Sequence, residues 1–196
     1  MQFGWWACAD TIHMSAQPVT PSFGLTAAIG TGGEADPRAA TCRGQVVPTN
    51  RQVTVFGALE VTTGAWVYRL GRRCAADFIA LLDQVLRAFP AAPLIVMICD
   101  NDSIHHARAV TAYLEKHSRV ELLYGARYSP HDNPAERIWA ALKNYVANTA
   151  VTWPGRLRQI HSFFRSRSPD QMLATAAPWT SPWLPPRYEQ NFWNAA

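Results

Sequence analysis

The stretch from Pro93 to Val146 constrains the fold more than any other part of the chain. It opens with an apolar run, Leu94 to Cys99, set between Pro93 and Asp100. Six apolar residues, mostly branched, between turn signals read as a buried strand. Ser103 can cap a following helix in which Ile104, Ala107, Val110, Tyr113 and Leu114 share one face. Val120 to Tyr124 reads as a second strand. A polar loop follows, then a helix start: Asn133 as N-cap, Pro134 in the first turn, and Glu136 three residues after the cap, where it can serve as a capping-box partner. Strand–helix–strand–helix packing can bring Asp100, at the end of a central strand, toward Glu136, at the start of a later helix. Two carboxylates converging at the C-terminal edge of a sheet make a hard-oxygen site of the kind that holds magnesium or manganese.

The remaining chain fits around that series. Residues 1–10 are apolar and aromatic, and FGWWACA reads as a strand ended by Asp10. Residues 11–50, rich in Gly and Pro, read as a long loop, so 1–50 is a poorly defined N-terminal segment. VTVFGALEV and AWVYRL, joined through Gly64, form a hairpin. Ala75 to Phe89 carries Phe78, Leu81, Leu82, Val85 and Leu86 at helical spacing and is stopped by Pro90. Residues 51–150 therefore form an α/β core, a mixed sheet with helices packed on it. Residues 151–196 hold one more amphipathic helix and a Pro/Trp-rich tail whose aromatics call for an apolar surface, the chain's own core or a partner's. Trp139 and Tyr145 read as core.

Composition excludes several classes. At 196 residues the chain is one domain, or one domain with a tail. No apolar run approaches the ~18 residues of a membrane span, and the N-terminus has no basic signal-peptide region. Cys8, Cys42, Cys74 and Cys99 lack metal-ligand spacing and read as reduced thiols of a cytoplasmic protein. The net charge of +4 is nearly all Arg, the residue suited to bidentate phosphate contact, so a nucleic-acid partner is allowed.

Asp100-Asn101, then Ser103-Ile104-His105-His106-Ala107, then Tyr128-Ser129-Pro130-His131, Asn133-Pro134 and Glu136-Arg137-Ile138-Trp139 resemble the DDE transposases of the Tc/mariner superfamily, in particular their bacterial insertion-sequence members. The resemblance runs from about residue 43 to the terminal Gln190-Asn191-Phe192-Trp193. It implies an RNase H-like fold and an enzyme that cuts and rejoins transposon DNA. The implied catalytic and metal-binding set is Asp100, Glu136 and a first Asp, holding two Mg2+ or Mn2+ ions. For the first Asp the expectation falls on Asp10, which follows the early strand. Its neighbour is Thr11, where relatives have Glu, and it lies farther upstream than the family pattern. Asp102 stands where relatives commonly have a small residue, and Gly125-Ala126 replaces the usual Leu-Pro.

Further roles follow from the same reading. Asn101 and His131 are expected beside the metal ligands, supporting them by hydrogen bonds. His105 and His106 read as structural or solvated more than catalytic. Arg156, Arg158, Arg165 and Arg167 are candidates for tracking DNA phosphates, or for a wet helix face. The implied partners are double-stranded DNA, a second copy of the chain, and a helix-turn-helix region carried elsewhere or on another chain. The implied location is the bacterial cytoplasm, at the nucleoid. The alternative is a truncated, inactive remnant that binds DNA or oligomerises; a generic RNase H-like nuclease is a third reading. Convergence of Asp10 on Asp100 and Glu136 separates the first two.

Overall fold

The computed structural model describes residues 4–16, 51–125, 132–147, 149 and 151–184, with 4–16 and 51 described by backbone alone. Five strands form one mixed sheet: β1 (Gly4–Ala16), β2 (Arg51–Glu60), β3 (Trp66–Gly71), β4 (Ile95–Cys99) and β5 (Val120–Tyr124). Their spatial order is β3-β2-β1-β4-β5. The β1, β2 and β3 strands pair antiparallel in sequence, and β4 and β5 continue from β1 in parallel. Among the described residues the α-helices that accompany this sheet are α1 (Ala75–Ala88), α2 (Arg108–Lys116), α3 (Pro134–Val146), α4 (Trp153–Arg165) and α5 (Pro169–Ala176), the last packed on α3.

The two-residue period of the strands divides the apolar side chains between two cores. Phe56 and Ala58 of β2, with Ile95, Met97 and Cys99 of β4, bury against Phe78, Leu81, Leu82 and Val85 of α1 and Val110 of α2. Val55 and Leu59 of β2, with Ile98 of β4, face the other way onto Ile138, Trp139 and Leu142 of α3 and Phe163 and Phe164 of α4. Helices therefore cover both faces, which is why β4 reads as an unbroken apolar run.

The β2–β3 turn is fixed by Glu60, whose buried carboxylate accepts hydrogen bonds from the amides and hydroxyls of Thr62 and Thr63. Gly64 closes the turn at φ +76°, a conformation that favours glycine. Gly57 serves packing instead. A Cβ there would lie 2.2 Å from the Trp66 ring and 2.8 Å from the Trp139 ring. Gly57→Ala is expected to destabilise the fold by about 1–3 kcal/mol through overpacking, read from the urea midpoint; an unchanged midpoint would show that the two indoles shift freely.

Several expectations need correction. β1 does not end at Asp10 but runs on to Ala16, so its last six residues replace the start of the expected loop. Residues 17–50 lie outside the described residues. Ser103 does not cap α2, which begins at Arg108 with Ala107 as its N-cap residue. Residues 103–106 form turns, because the Asp102 carboxylate takes the Ile104 amide at 3.2 Å and the Ser103 hydroxyl at 3.1 Å. The expected apolar face nonetheless holds: Ile104 and Val110 are buried, and Ala107, Tyr113 and Leu114 pack on the same cluster. Tyr145 is 44% exposed rather than core, and Arg167 lies over its ring. α5 lies where only a tail is expected; its signal is Ser168-Pro169-Asp170-Gln171, a capping box with proline in the first turn. The tail packs on the chain's own core as far as it is described, with Pro178 and Leu184 buried and Trp183 against the α3 side.

Candidate active site

Asp100 immediately follows the last residue of β4, at the C-terminal edge of the sheet, where ligands of open α/β sheets bind. A tight turn holds it. The amide of Asp102 donates to Asp100 Oδ1 at 3.0 Å, and the amide of His105 donates to the Asp102 carbonyl at 3.1 Å. His105 is buried against Phe78, with ring centroids 4.2 Å apart. Its Nδ1 lies 3.2 Å from the Asp100 carbonyl oxygen and 3.6 Å from Asp100 Oδ1. A carbonyl only accepts, so Nδ1 carries the proton in that hydrogen bond. The structural role expected for His105 thus places it directly on Asp100. His106 instead stacks on Tyr124, at 4.2 Å between centroids.

Glu136 sits in the first turn of α3, presented by its cap. The Asn133 side chain accepts from the Ala135 amide at 3.1 Å, and Pro134 occupies the first helical position. Burial pushes the Glu136 carboxyl above its ordinary range; Lys143 opposes that shift and the nearby Asp100 charge adds to it. The charge of Asp100, remote in sequence, therefore reaches the Glu136 carboxyl. Asp102 behaves differently. Burial would raise its pKa, but hydrogen bonds from Arg73 and the Ile104 amide, with the Arg73 charge, outweigh burial and hold it below the usual carboxylate range.

Asp10 enters through the backbone of β1. Ala7 pairs with Ile98 in the parallel β1–β4 register, so Asp10, three residues on, lies one step past the level of Asp100. Against β2, Ala9 pairs with Gly57 and Ile12 with Val55, so Asp10 and Thr11 together stand opposite Phe56. That is a β-bulge, a device that re-aims side chains and recurs beside active sites. The Asp10 side chain itself lies outside the described residues, as does His131. Among the described residues, no group of three His, Cys, Asp or Glu side chains is placed to hold a metal ion.

The remaining candidates separate. Asn101 is exposed and donates through Nδ2 to the Gly125 carbonyl at 2.7 Å, tying the end of β4 to the end of β5 rather than reaching a carboxylate. Arg156 donates to the Val146 and Thr149 carbonyls. Arg167 donates to the Phe163 carbonyl at 2.9 Å and lies 3.5 Å from the centre of the Phe163 ring. Both guanidinium groups are thereby engaged within the fold. Arg158 and Arg165 remain exposed on α4. Sequence reasoning missed Arg73, which no periodicity or motif marks, and the contact of His105 with Asp100, whose signal is its five-residue spacing from a strand-ending acid.

The family model for the DDE superfamily endonucleases matches residues 32–153, more than half of the chain. The chain belongs to that family. Both Asp100 and Glu136 fall inside the matched region. A relative, the insertion element IS630 uncharacterized 39 kDa protein of Shigella sonnei, is 29% identical over 124 residues, 61% of this chain and 36% of the relative. The chain thus spans about a third of the length of that curated relative. Among solved structures, the pre-cleavage Mos1 transpososome is similar with a TM-score of 0.59 and 15% identity, covering 88% of this chain and 52% of that one. The catalytic domain of Mos1 mariner transposase is similar with a TM-score of 0.58 and 15% identity, covering 87% of this chain and 74% of that one. The RNase H-like fold implied by the motifs agrees with the likeness to the Mos1 catalytic domain, and the DDE membership with the family model. Among the described residues, no helix is long and apolar enough to cross a membrane.

Proposed function

We propose that this chain is the catalytic portion of an insertion-sequence transposase that cleaves and rejoins double-stranded DNA in a divalent-metal-dependent reaction. The observation carrying the proposal is the placing of Asp100, at the end of β4, near enough to Glu136, in the first turn of α3, for the Asp100 charge to bear on the Glu136 carboxyl. Asp10, in the bulge of the adjoining strand, is the third acid of the proposed set.

The donors fit a hard cation. Both acids offer oxygen, the choice of magnesium and manganese. The Glu136 anion is penalised by burial and by Asp100, and only Lys143 offsets it, so a cation at this point relieves both costs. Mos1, the transposase whose catalytic fold this chain shares, is solved with Mg and with Mn, and as a paired-end complex with the left transposon end. Two bound ions would supply activation of a water or 3′-hydroxyl and charge stabilisation at the leaving oxygen of an in-line displacement. The protein's own part is orientation. The Asp102 amide and His105 hold Asp100 on its Oδ1 side, leaving Oδ2 for ligation. The Asn133 cap and the burial of Trp139 fix the turn from which Glu136 projects. Arg158 and Arg165 are exposed, Arg165 beside the Tyr68 hydroxyl, and can meet phosphates, so DNA affinity should fall with salt.

End recognition by a helix-turn-helix region on a longer chain or a partner, pairing with a second copy, and a place at the bacterial nucleoid complete the proposal. The test is magnesium-dependent nicking of a transposon-end duplex by the wild type and by Asp100→Asn. Equal rates in the two would remove the mechanism.

A further inference from the structure

We infer that the Arg73–Asp102 ion pair is a positioning device for Asp100: it locks the turn that orients the Asp100 carboxylate and keeps Asp102 from acting as a competing ligand. The inference rests on the metal-site reading of Asp100 and Glu136.

Arg73 lies in the connection between β3 and α1, far in sequence from the turn it grips. Its Nε donates to Asp102 Oδ2 at 2.9 Å, and its Nη2 lies 2.5 Å from both Asp102 oxygens. This is the fork contact that a guanidinium makes and an ammonium cannot reproduce. The Asp102 side chain is 9% exposed and Arg73 45%, so the pair sits where the turn meets solvent.

From Asp102 the constraint passes to the site through short, named links. Its Oδ1 accepts the Ile104 amide and the Ser103 hydroxyl, which fixes the carboxylate to the turn. Its own amide donates to Asp100 Oδ1. The same turn delivers His105 Nδ1 to the Asp100 carbonyl. Anchoring Asp102 from outside the turn therefore anchors both groups that touch Asp100. Charge gives the second half of the device. Asp102 is two residues from Asp100, and an unpaired acid there would swing the turn and pull the cation out of the Asp100–Glu136 geometry, weakening the site. Engaged on both oxygens by Arg73, it is neutralised and withdrawn.

The test uses the full chain with Mn2+ alone as the probe, its binding followed by water-proton relaxation, and thermal melting recorded for every variant. Arg73→Ala and Asp102→Ala are each expected to raise the half-saturating Mn2+ concentration about 10-fold, the usual scale for a group that orients a metal ligand. The double variant should lose no more than either single one, because the two residues act as one unit. Arg73→Lys should recover only part of the affinity. Melting temperatures should stay close to wild type, since Arg73 is 45% exposed and such pairs add little stability. An unchanged Mn2+ midpoint in both Ala variants, with binding lost in Asp100→Asn, overturns the positioning role and leaves the metal site standing. Additive losses, or tighter binding in Arg73→Ala, likewise overturn it. A wild type that binds Mn2+ no better than Asp100→Asn removes the metal site and this inference with it.

Discussion

Replacing Glu136 with Gln, or Asp100 with Asn, is expected to lower magnesium-dependent nicking by on the order of 1000-fold or more. Each change removes an anionic oxygen ligand, and the metal's contribution to such a displacement is several kcal/mol, with each 1.36 kcal/mol worth tenfold in rate. Glu136→Gln carries a second expectation of opposite sign. In the metal-free protein the Glu136 carboxyl is pushed up by burial and by the Asp100 charge, against Lys143. Its folded-state pKa therefore lies above the unfolded value, and the folded state holds the proton over the window between them. Stability then decreases as pH rises through that window and stays lowered above it. Gln cannot ionise, so the variant should melt higher than the wild type at neutral pH without metal, and the gap should close on acidification. Added Mg2+ should stabilise the wild type and leave the variant unmoved. Nicking assays and paired melting curves, with and without Mg2+, read both effects. A variant that loses activity but melts lower at neutral pH would show that Glu136 is a structural residue.

The fold was legible where period and punctuation agreed. β4 is apolar at every position and bounded by turn residues, and α1 repeats at helical spacing until Pro90, so both stand within a residue of their expected limits. α3 announced itself through Asn133 and Pro134. Misreadings came where a local competitor outbid the pattern. Ser103 has the residue type of a cap, but Asp102 captures the neighbouring amide and hydroxyl and postpones the helix to Arg108. Asp10 looks like a strand end by composition, yet antiparallel pairing with β2 carries the strand past it to Ala16. At the site, motif spacing marked Asp100 and Glu136 because both stand at element ends, where cap and turn rules speak. Arg73 could not be marked. Its role arises from the meeting of two connections on one side of the sheet, and nothing in its own neighbourhood distinguishes it from Arg72. The same limit applies to the arginines in and just after α4: sequence places four on a polar face, and only packing shows that Arg156 and Arg167 are spent on carbonyls and a ring.

Trp139→Ala is expected to cost about 3–5 kcal/mol, the largest stability loss of any single truncation here. The ring is fully buried and meets Trp66 edge-on at 5.3 Å and Phe164 edge-on at 6.2 Å. It also fills the space that Gly57 leaves open on β2. Its neighbours are large aromatics already locked against one another, Trp66 stacking on Phe164 at 5.6 Å, so collapse into the void is obstructed and the cavity persists. For a domain with about 5–15 kcal/mol in total, that is a substantial share. Trp139→Phe should cost much less. Among the described residues Trp139 Nε1 makes no hydrogen bond, so Phe forfeits volume but no polar partner. Function should follow packing. Trp139 lies one helical turn beyond Glu136 and pins that end of α3 to the sheet, so the Ala variant should need more Mg2+ for half-maximal nicking even below its melting transition. Urea unfolding of the three proteins, with Mg2+ titrations at a temperature where all are folded, measures both quantities. An Ala variant within about 1 kcal/mol of wild type would mean that the helix is held to the sheet by other contacts and that the cavity closes.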